Sequence, residues 1–176
     1  MEPAGGLSAN QPFVLTLELD PRSFGFFDAL RRAHFPAGRN LIPAHLTLFH
    51  QLPAARAREV KHLLALAASG QAPIDLRNAG PKSIGRGVAF NLVSPALLSL
   101  HRRLQAEFAP WLVPQDGGGL HPHVTVQNKV SHLEAEALRK TLSAESWPET
   151  VTGTGLHLWR YLNGPWESVK LFRFAR

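Results

Sequence analysis

The sequence contains no cysteine, which excludes disulfide staples, thiolate metal sites and a cysteine nucleophile. It has no apolar run approaching the ~20 residues that span a bilayer. The first ten residues carry neither a basic start nor an apolar stretch, so no export signal is evident and the cytoplasm is the expected location. A single tyrosine is present, so a nucleobase platform built from several tyrosines is not available. There is no G-x-x-x-x-G-K-[ST] phosphate loop and no complete G-x-G-x-x-G, since Gly85-x-Gly87 lacks the third glycine. Those two absences argue against an ATP-dependent ligase and a dinucleotide enzyme. A G-x-S-x-G elbow is missing as well.

What is present is basic. Nineteen Lys and Arg against thirteen Asp and Glu give a formal charge of +6, and fourteen of the nineteen cations are Arg. Arginine is planar, permanently charged and matches phosphate oxygens in pairs, so the bias hints at a phosphate-bearing partner. The charge is spread without long blocks and 44% of residues are apolar, so the chain is expected to fold. Its 176 residues suffice for one sizeable core or two small lobes sharing an interface.

Residues 1–12 are small and polar and read as a flexible lead-in to a single domain over residues 13–176. Phe13 to Leu19 alternates as a strand, and Asp20-Pro21 starts a helix ending near Phe35, with an acceptor at the N-cap and Pro at the first helical position. His45 to Leu52 is a second strand. Ala54 to Ser69 is a helix with Val60, Leu63, Leu64 and Ala67 on one face. Ile74 to Asn78 and Val88 to Val93 are strands around a Gly/Pro-rich turn. The order then repeats. Ser94-Pro95 starts a helix 74 residues after Asp20-Pro21, a glycine-rich loop leads into His123 to Val126, and Ser131 with Glu134 forms a capping box before the next helix. Strands over Val151 to Tyr161 and Trp166 to Phe174, joined by an Asn163-Gly164 turn, close the chain. The repeat predicts an α+β fold of two pseudo-symmetric lobes, each a small, mostly antiparallel sheet with helices outside, around a central cleft.

At matched positions of the repeat stand His45-Leu46-Thr47-Leu48 and His123-Val124-Thr125-Val126, 78 residues apart. Strand side chains alternate with period two, so each His and its Thr share one face while the aliphatics share the other. If the lobes face each other, two imidazoles and two hydroxyls meet in one cleft. A phosphodiester or cyclic phosphate needs a base for the attacking oxygen and an acid for the departing one, and histidine serves either role near neutral pH. Threonine hydroxyls donate to the non-bridging oxygens. A single H-x-T carries almost no information; two copies at equivalent positions of an internal repeat carry much more. A metal site from His121, His123, His45 and His50 lacks a nearby Asp, Glu or Cys to complete it, and neither metal nor cofactor is expected.

The paired H-x-T-x motifs, their spacing, the repeated lobe pattern and the closing strand, turn and strand with Trp166 resemble the two-histidine (2H) phosphoesterase superfamily. The nearest branch is the bacterial 2'-5' RNA ligase and RNA 2',3'-cyclic phosphodiesterase proteins. The resemblance spans about Phe13 to Phe174. It implies metal-independent hydrolysis of 2',3'-cyclic phosphate ends of RNA or nucleotides, with His45 and His123 as acid and base and Thr47 and Thr125 as phosphate donors. Arg86, in the Gly85-Arg86-Gly87 turn, and Lys129, just past the second motif strand, are further phosphate-binding candidates. Phe49, Tyr161 and Trp166 are base-stacking candidates, and His50 and His121 flank the motifs. The expected partners are RNA ends or cyclic nucleotides, with no membrane, and a monomer is expected. Readings left open are 2'-5' RNA ligation or cleavage, a non-catalytic RNA-binding module, and a metal-dependent hydrolase.

Overall fold

The computed structural model describes residues 11–176. The flexible lead-in expected over residues 1–12 lies outside them except for Gln11 and Pro12. Strand β1 (Phe13–Leu19) leads into helix α1 (Pro21–His34), whose N-cap Asp20 accepts hydrogen bonds from the backbone N–H groups of Arg22 and Ser23, supplying partners that the first turn lacks. β2 (Leu46–Leu52), α2 (Ala57–Ser69) and β3 (Ile74–Ser83) complete the first half. The second half runs β4 (Val88–Val93), α3 (Pro95–Phe108), β5 (His123–Gln127), α4 (His132–Ser143) and β6 (Thr150–Tyr161), followed by β7 (Trp166–Arg173). Ser94 caps α3 and the expected Ser131–Glu134 capping box opens α4.

The strands form one antiparallel sheet in the order β2-β1-β6-β3-β4-β5, with β7 also on β6. That order is a palindrome under the sequence repeat: β2 matches β5, β1 matches β4, and β6 matches β3. Each half therefore hands its last strand to the other half. β6 lies beside β1 from Leu19↔Gly153 to Phe13↔Arg160, while β3 lies beside the start of β6 from Ile74↔Gly153 to Arg77↔Thr150. The α+β architecture is as expected, but the two small sheets are hydrogen-bonded into one through β3 and β6. The sheet curls until its end strands β2 and β5 touch, as twisted and bulged strands do. α2 packs on α3 and on β6 and β7, α4 on β3 and β4, and α1 on β5. Leu15, Leu17, Leu46, Phe90, Leu92 and Val124 belong to one buried hydrophobic core. None of the described helices is long and apolar enough to cross a membrane.

Candidate active site

The curl brings the two motifs together. His45, Thr47, His123 and Thr125 line one cleft of about 350 Å³. No residue of the four helices lines it; the cleft belongs to strands and their flanking turns.

The two histidines are held alike. His45 Nδ1 lies 2.8 Å from the Pro43 carbonyl, and His123 Nδ1 lies 2.8 Å from the His121 carbonyl. A carbonyl oxygen only accepts, so each Nδ1 carries the proton and donates it. In the neutral ring the lone pair is then on Nε2, and among the described residues neither Nε2 has a hydrogen-bond partner. Both rings are thus set in the tautomer that offers Nε2 to a ligand.

Their surroundings differ. His123 is exposed, whereas His45 is half-buried, its ring centroid 4.7 Å from that of Trp166 and tilted by 56°. Burial pushes the His45 imidazole down to about 4; the bond to Pro43 opposes the shift, and positive charge at Arg31, His123 and His50 adds to it. Trp166 is followed by Trp159 at 6.0 Å, whose Nε1–H donates to Thr16 Oγ1 at 2.9 Å, so the wall behind His45 is a braced aromatic stack.

Both motif strands carry a bulge at the same place. β2 pairs with β1 as Leu15↔Phe49 and Thr16↔Thr47, which leaves Leu48 as an extra residue; β5 pairs with β4 as Val88↔Gln127 and Ala89↔Thr125, which leaves Val126 extra. An extra residue shifts the alternation by one, so two consecutive side chains point inward. Leu48 and Phe49 are both buried, as are Val126 and Gln127. This corrects the reading of Phe49 as a base-stacking residue. It is 0% exposed, with one face stacked on His101 at 4.6 Å and the ring edge of Phe108 beside it. The bulge turns His50 toward the cleft instead.

The other predicted residues divide. Tyr161 and Trp166, opposite each other on β6 and β7, line the cleft. Arg86 and Lys129 are not among its lining residues. Arg86 Nε donates to the Val130 carbonyl at 3.1 Å, tying the β3–β4 turn to the chain after β5, and Lys129 is exposed in a left-handed conformation where that chain turns toward α4. His121 contributes its carbonyl to His123.

Three supporting side chains carried no sequence signal. Arg31 is buried in α1; its Nε reaches Asn40 Oδ1 at 2.8 Å and the Ile42 carbonyl at 3.1 Å, and its Nη1 the Thr125 carbonyl at 3.0 Å. It clamps the approach to the first motif onto the second motif strand. Burial pulls its pKa down to about 10, against the attraction of Asp28, so it stays charged at neutral pH. Asp28 accepts from the Ala44 N–H at 3.0 Å, fixing the residue before His45. Asp116, in the 3-10 turn Pro114–Gly117, accepts from the backbone N–H groups of His50 and Gln51, each at 2.9 Å, and from His50 Nδ1 at 3.0 Å. Burial alone would raise its pKa, but these donors outweigh it and hold the carboxyl below the ordinary range. Asp116 supplies the carboxylate near His50 that the linear sequence did not reveal. Even so, no group of three His, Asp or Glu among the described residues is arranged to hold a metal ion.

Comparison with known proteins bears on the family and the fold. A model of the 2'-5' RNA ligase superfamily matches residues 19–165. Among curated proteins no relative matches. Among solved structures, E. coli LigT complexed with 3'-AMP is similar at 19% identity and a TM-score of 0.62, covering 95% of this chain and 99% of that one. The Thermus thermophilus protein TT0787 is similar at 17% identity and a TM-score of 0.67, covering 93% and 97%. Kluyveromyces marxianus Usb1 with uridine monophosphate is more distant, at 13% identity and a TM-score of 0.52, covering 94% and 99%. At these identities the structures establish a shared fold.

Proposed function

The chain belongs to the 2'-5' RNA ligase superfamily, and from that premise we propose that it opens 2',3'-cyclic phosphate ends of RNA or nucleotides to phosphomonoesters without a metal ion. The observation that carries the reading is the pair of matched imidazoles, each with Nδ1 tied to a backbone carbonyl and Nε2 free in one cleft beside a threonine. Thr47 and Thr125 would donate to the non-bridging phosphate oxygens. His45, kept neutral by burial, takes the proton of the attacking water as the new P–O bond forms. His123, entering the step with Nε2 protonated as well, delivers that proton to the ribose oxygen whose bond to phosphorus breaks. Exchange with solvent afterwards removes the proton from His45 and restores the one on His123. Nucleoside monophosphates bound by two relatives, 3'-AMP in LigT and uridine monophosphate in Usb1, support a ligand of this class. Replacing the water by the 5'-hydroxyl of a second RNA gives 2'-5' ligation with the same acid and base, a second reading that membership of the 2'-5' RNA ligase superfamily supports.

Purified protein is expected to hydrolyse a nucleoside 2',3'-cyclic phosphate in excess chelator, with His45→Ala and His123→Ala each slowing it by more than about 100-fold. Full activity in either variant would sink the assignment, and activity lost in chelator and recovered with zinc would favour a metal-dependent hydrolase. Incubation with two RNA halves and analysis of the linkage separates ligation from hydrolysis.

A further inference from the structure

The cleft does not end at the two His/Thr pairs. It runs along β2 past Thr47 to His50 and Gln51, where Pro12 and Gln51 are shared with a second cavity reaching Trp111. We infer that this extension receives the phosphodiester on the 5' side of the terminal nucleotide, and that His50, positioned by Asp116, is the residue that binds it. The inference rests on the phosphoesterase reading above and narrows its substrate to an RNA end rather than a free mononucleotide.

Two features place His50 for this. The bulge at Leu48 reverses the strand's alternation and sends the imidazole to the cleft side. Asp116, only 4% exposed, accepts a hydrogen bond from Nδ1–H, so the ring, half in solvent, directs Nε2 outward, where it has no partner among the described residues. Two of the three hydrogen bonds to Asp116 come from backbone N–H groups and suffice to seat its turn on β2. The third goes to an exposed ring that packing does not require to be fixed. Its consequence is an imidazole held in one orientation, whose imidazolium form would present Nε2–H to an anion with a buried carboxylate behind the ring to balance the charge. Charge-assisted bonds of this kind suit a phosphate oxygen.

The spacing agrees. His50 lies three residue steps beyond Thr47, at most ~10 Å at the usual rise and less across a bulge. With side chains reaching from both ends, that matches the separation of a terminal phosphate from the next phosphate along the chain. Beyond lies Trp111, with the Arg56 guanidinium 5.8 Å over its ring, an arrangement suited to a single-stranded base.

The test compares a dinucleotide ending in a 2',3'-cyclic phosphate with the corresponding mononucleoside 2',3'-cyclic phosphate, using the full chain. Wild type should favour the dinucleotide in kcat/KM. His50→Ala should lower the dinucleotide-to-mononucleoside ratio about 10-fold, mainly through KM, and His50→Lys should recover part of it. Asp116→Asn should lower the ratio in the wild-type background and not further in His50→Ala, which is the mark of a residue acting through His50. If Asp116→Asn does not fold, the two His50 variants still decide. A ratio unchanged in His50→Ala overturns the proposal. If wild type turns over neither substrate, the phosphoesterase reading fails. The proposal is then judged by equilibrium binding of a 3'-phosphorylated dinucleotide against a nucleoside 3'-phosphate, and overturned if His50→Ala does not selectively weaken the former.

Discussion

His45 and His123 share a motif, a tautomer and a backbone tether, and differ in what lies behind the ring. Trp166 and the charge of Arg31 stand behind His45, and burial leads the causes that bring its pKa from 6.5 to about 4. The sign of the consequence follows from proton counting. Between pH 6.5 and about 4 the unfolded chain binds a proton at this residue and the native state does not, so stability falls as the pH drops through that window and the loss levels off below it. A series of urea midpoints from pH 7 to 4 should show a steeper decline for wild type than for His45→Gln, since other titrating groups, including His101, are common to both. Parallel profiles would mean that the native state does not hold His45 neutral. The same shift extends proton acceptance to acid: the acidic limb of kcat/KM should lie closer to pH 4 than to 6.5. The motif itself was legible from the letters H-x-T; the asymmetry between its copies was not, because it arises from tertiary burial of His45, which packs on Trp166 from the far end of the chain, with the charge of Arg31 adding to it.

Elements place these residues through two devices that periodicity hides. One is the pair of bulges after Thr47 and Thr125. A period-two reading correctly sets His and Thr on one face, then continues one residue too far and sets Phe49 beside them. The bulge reverses the phase there, so Phe49 enters the core and His50 takes its place. The other device is α1, which the sequence shows only as a helix capped at Asp20. Asp28 and Arg31 use it as a bracket, one holding the Ala44 N–H and the other joining the approach to β2 with the Thr125 carbonyl on β5. Arg31→Met keeps most of the volume and removes the donors, leaving the Ile42 and Thr125 carbonyls without this partner. A loss of about 3 kcal/mol in urea unfolding, with an unchanged slope, is expected. Activity measured well below the unfolding midpoint should still fall by about 10-fold, because the two motif strands lose a direct tie and small displacements of reacting groups are costly. A destabilised variant with full turnover would show that the bracket serves folding alone.

Across the whole molecule, the +6 charge and arginine bias that first pointed to phosphate do not single out the site, whose four motif residues are two histidines and two threonines. They predict instead that affinity for an RNA end falls as salt is raised. The repeat was legible as a doubled order of strands and helices, yet its pairing was not: alternation tells which face of a strand is buried and is silent on its neighbour. The palindromic sheet answers that, since β6 from the second half lies against β1 and β3 from the first lies against β6 and β4. A chain divided at the β3–β4 turn, where Gly85 takes a positive φ of 87° in an exposed loop, therefore leaves the first fragment with β3 unpaired and β1 paired on one edge only. Leu76, Leu15 and Leu17 would then face water, a loss that β1 and β2 alone do not offset. Fragments 11–84 and 85–176 should each show no cooperative thermal transition by circular dichroism, and mixing them should restore one together with cyclic-phosphate hydrolysis. Independent folding of either fragment would mean that the halves are separable domains, in which case the cleft would be an interface between two bodies. The exchanged strands argue for the opposite, one body whose two motif faces are kept opposed because each half completes the other's sheet.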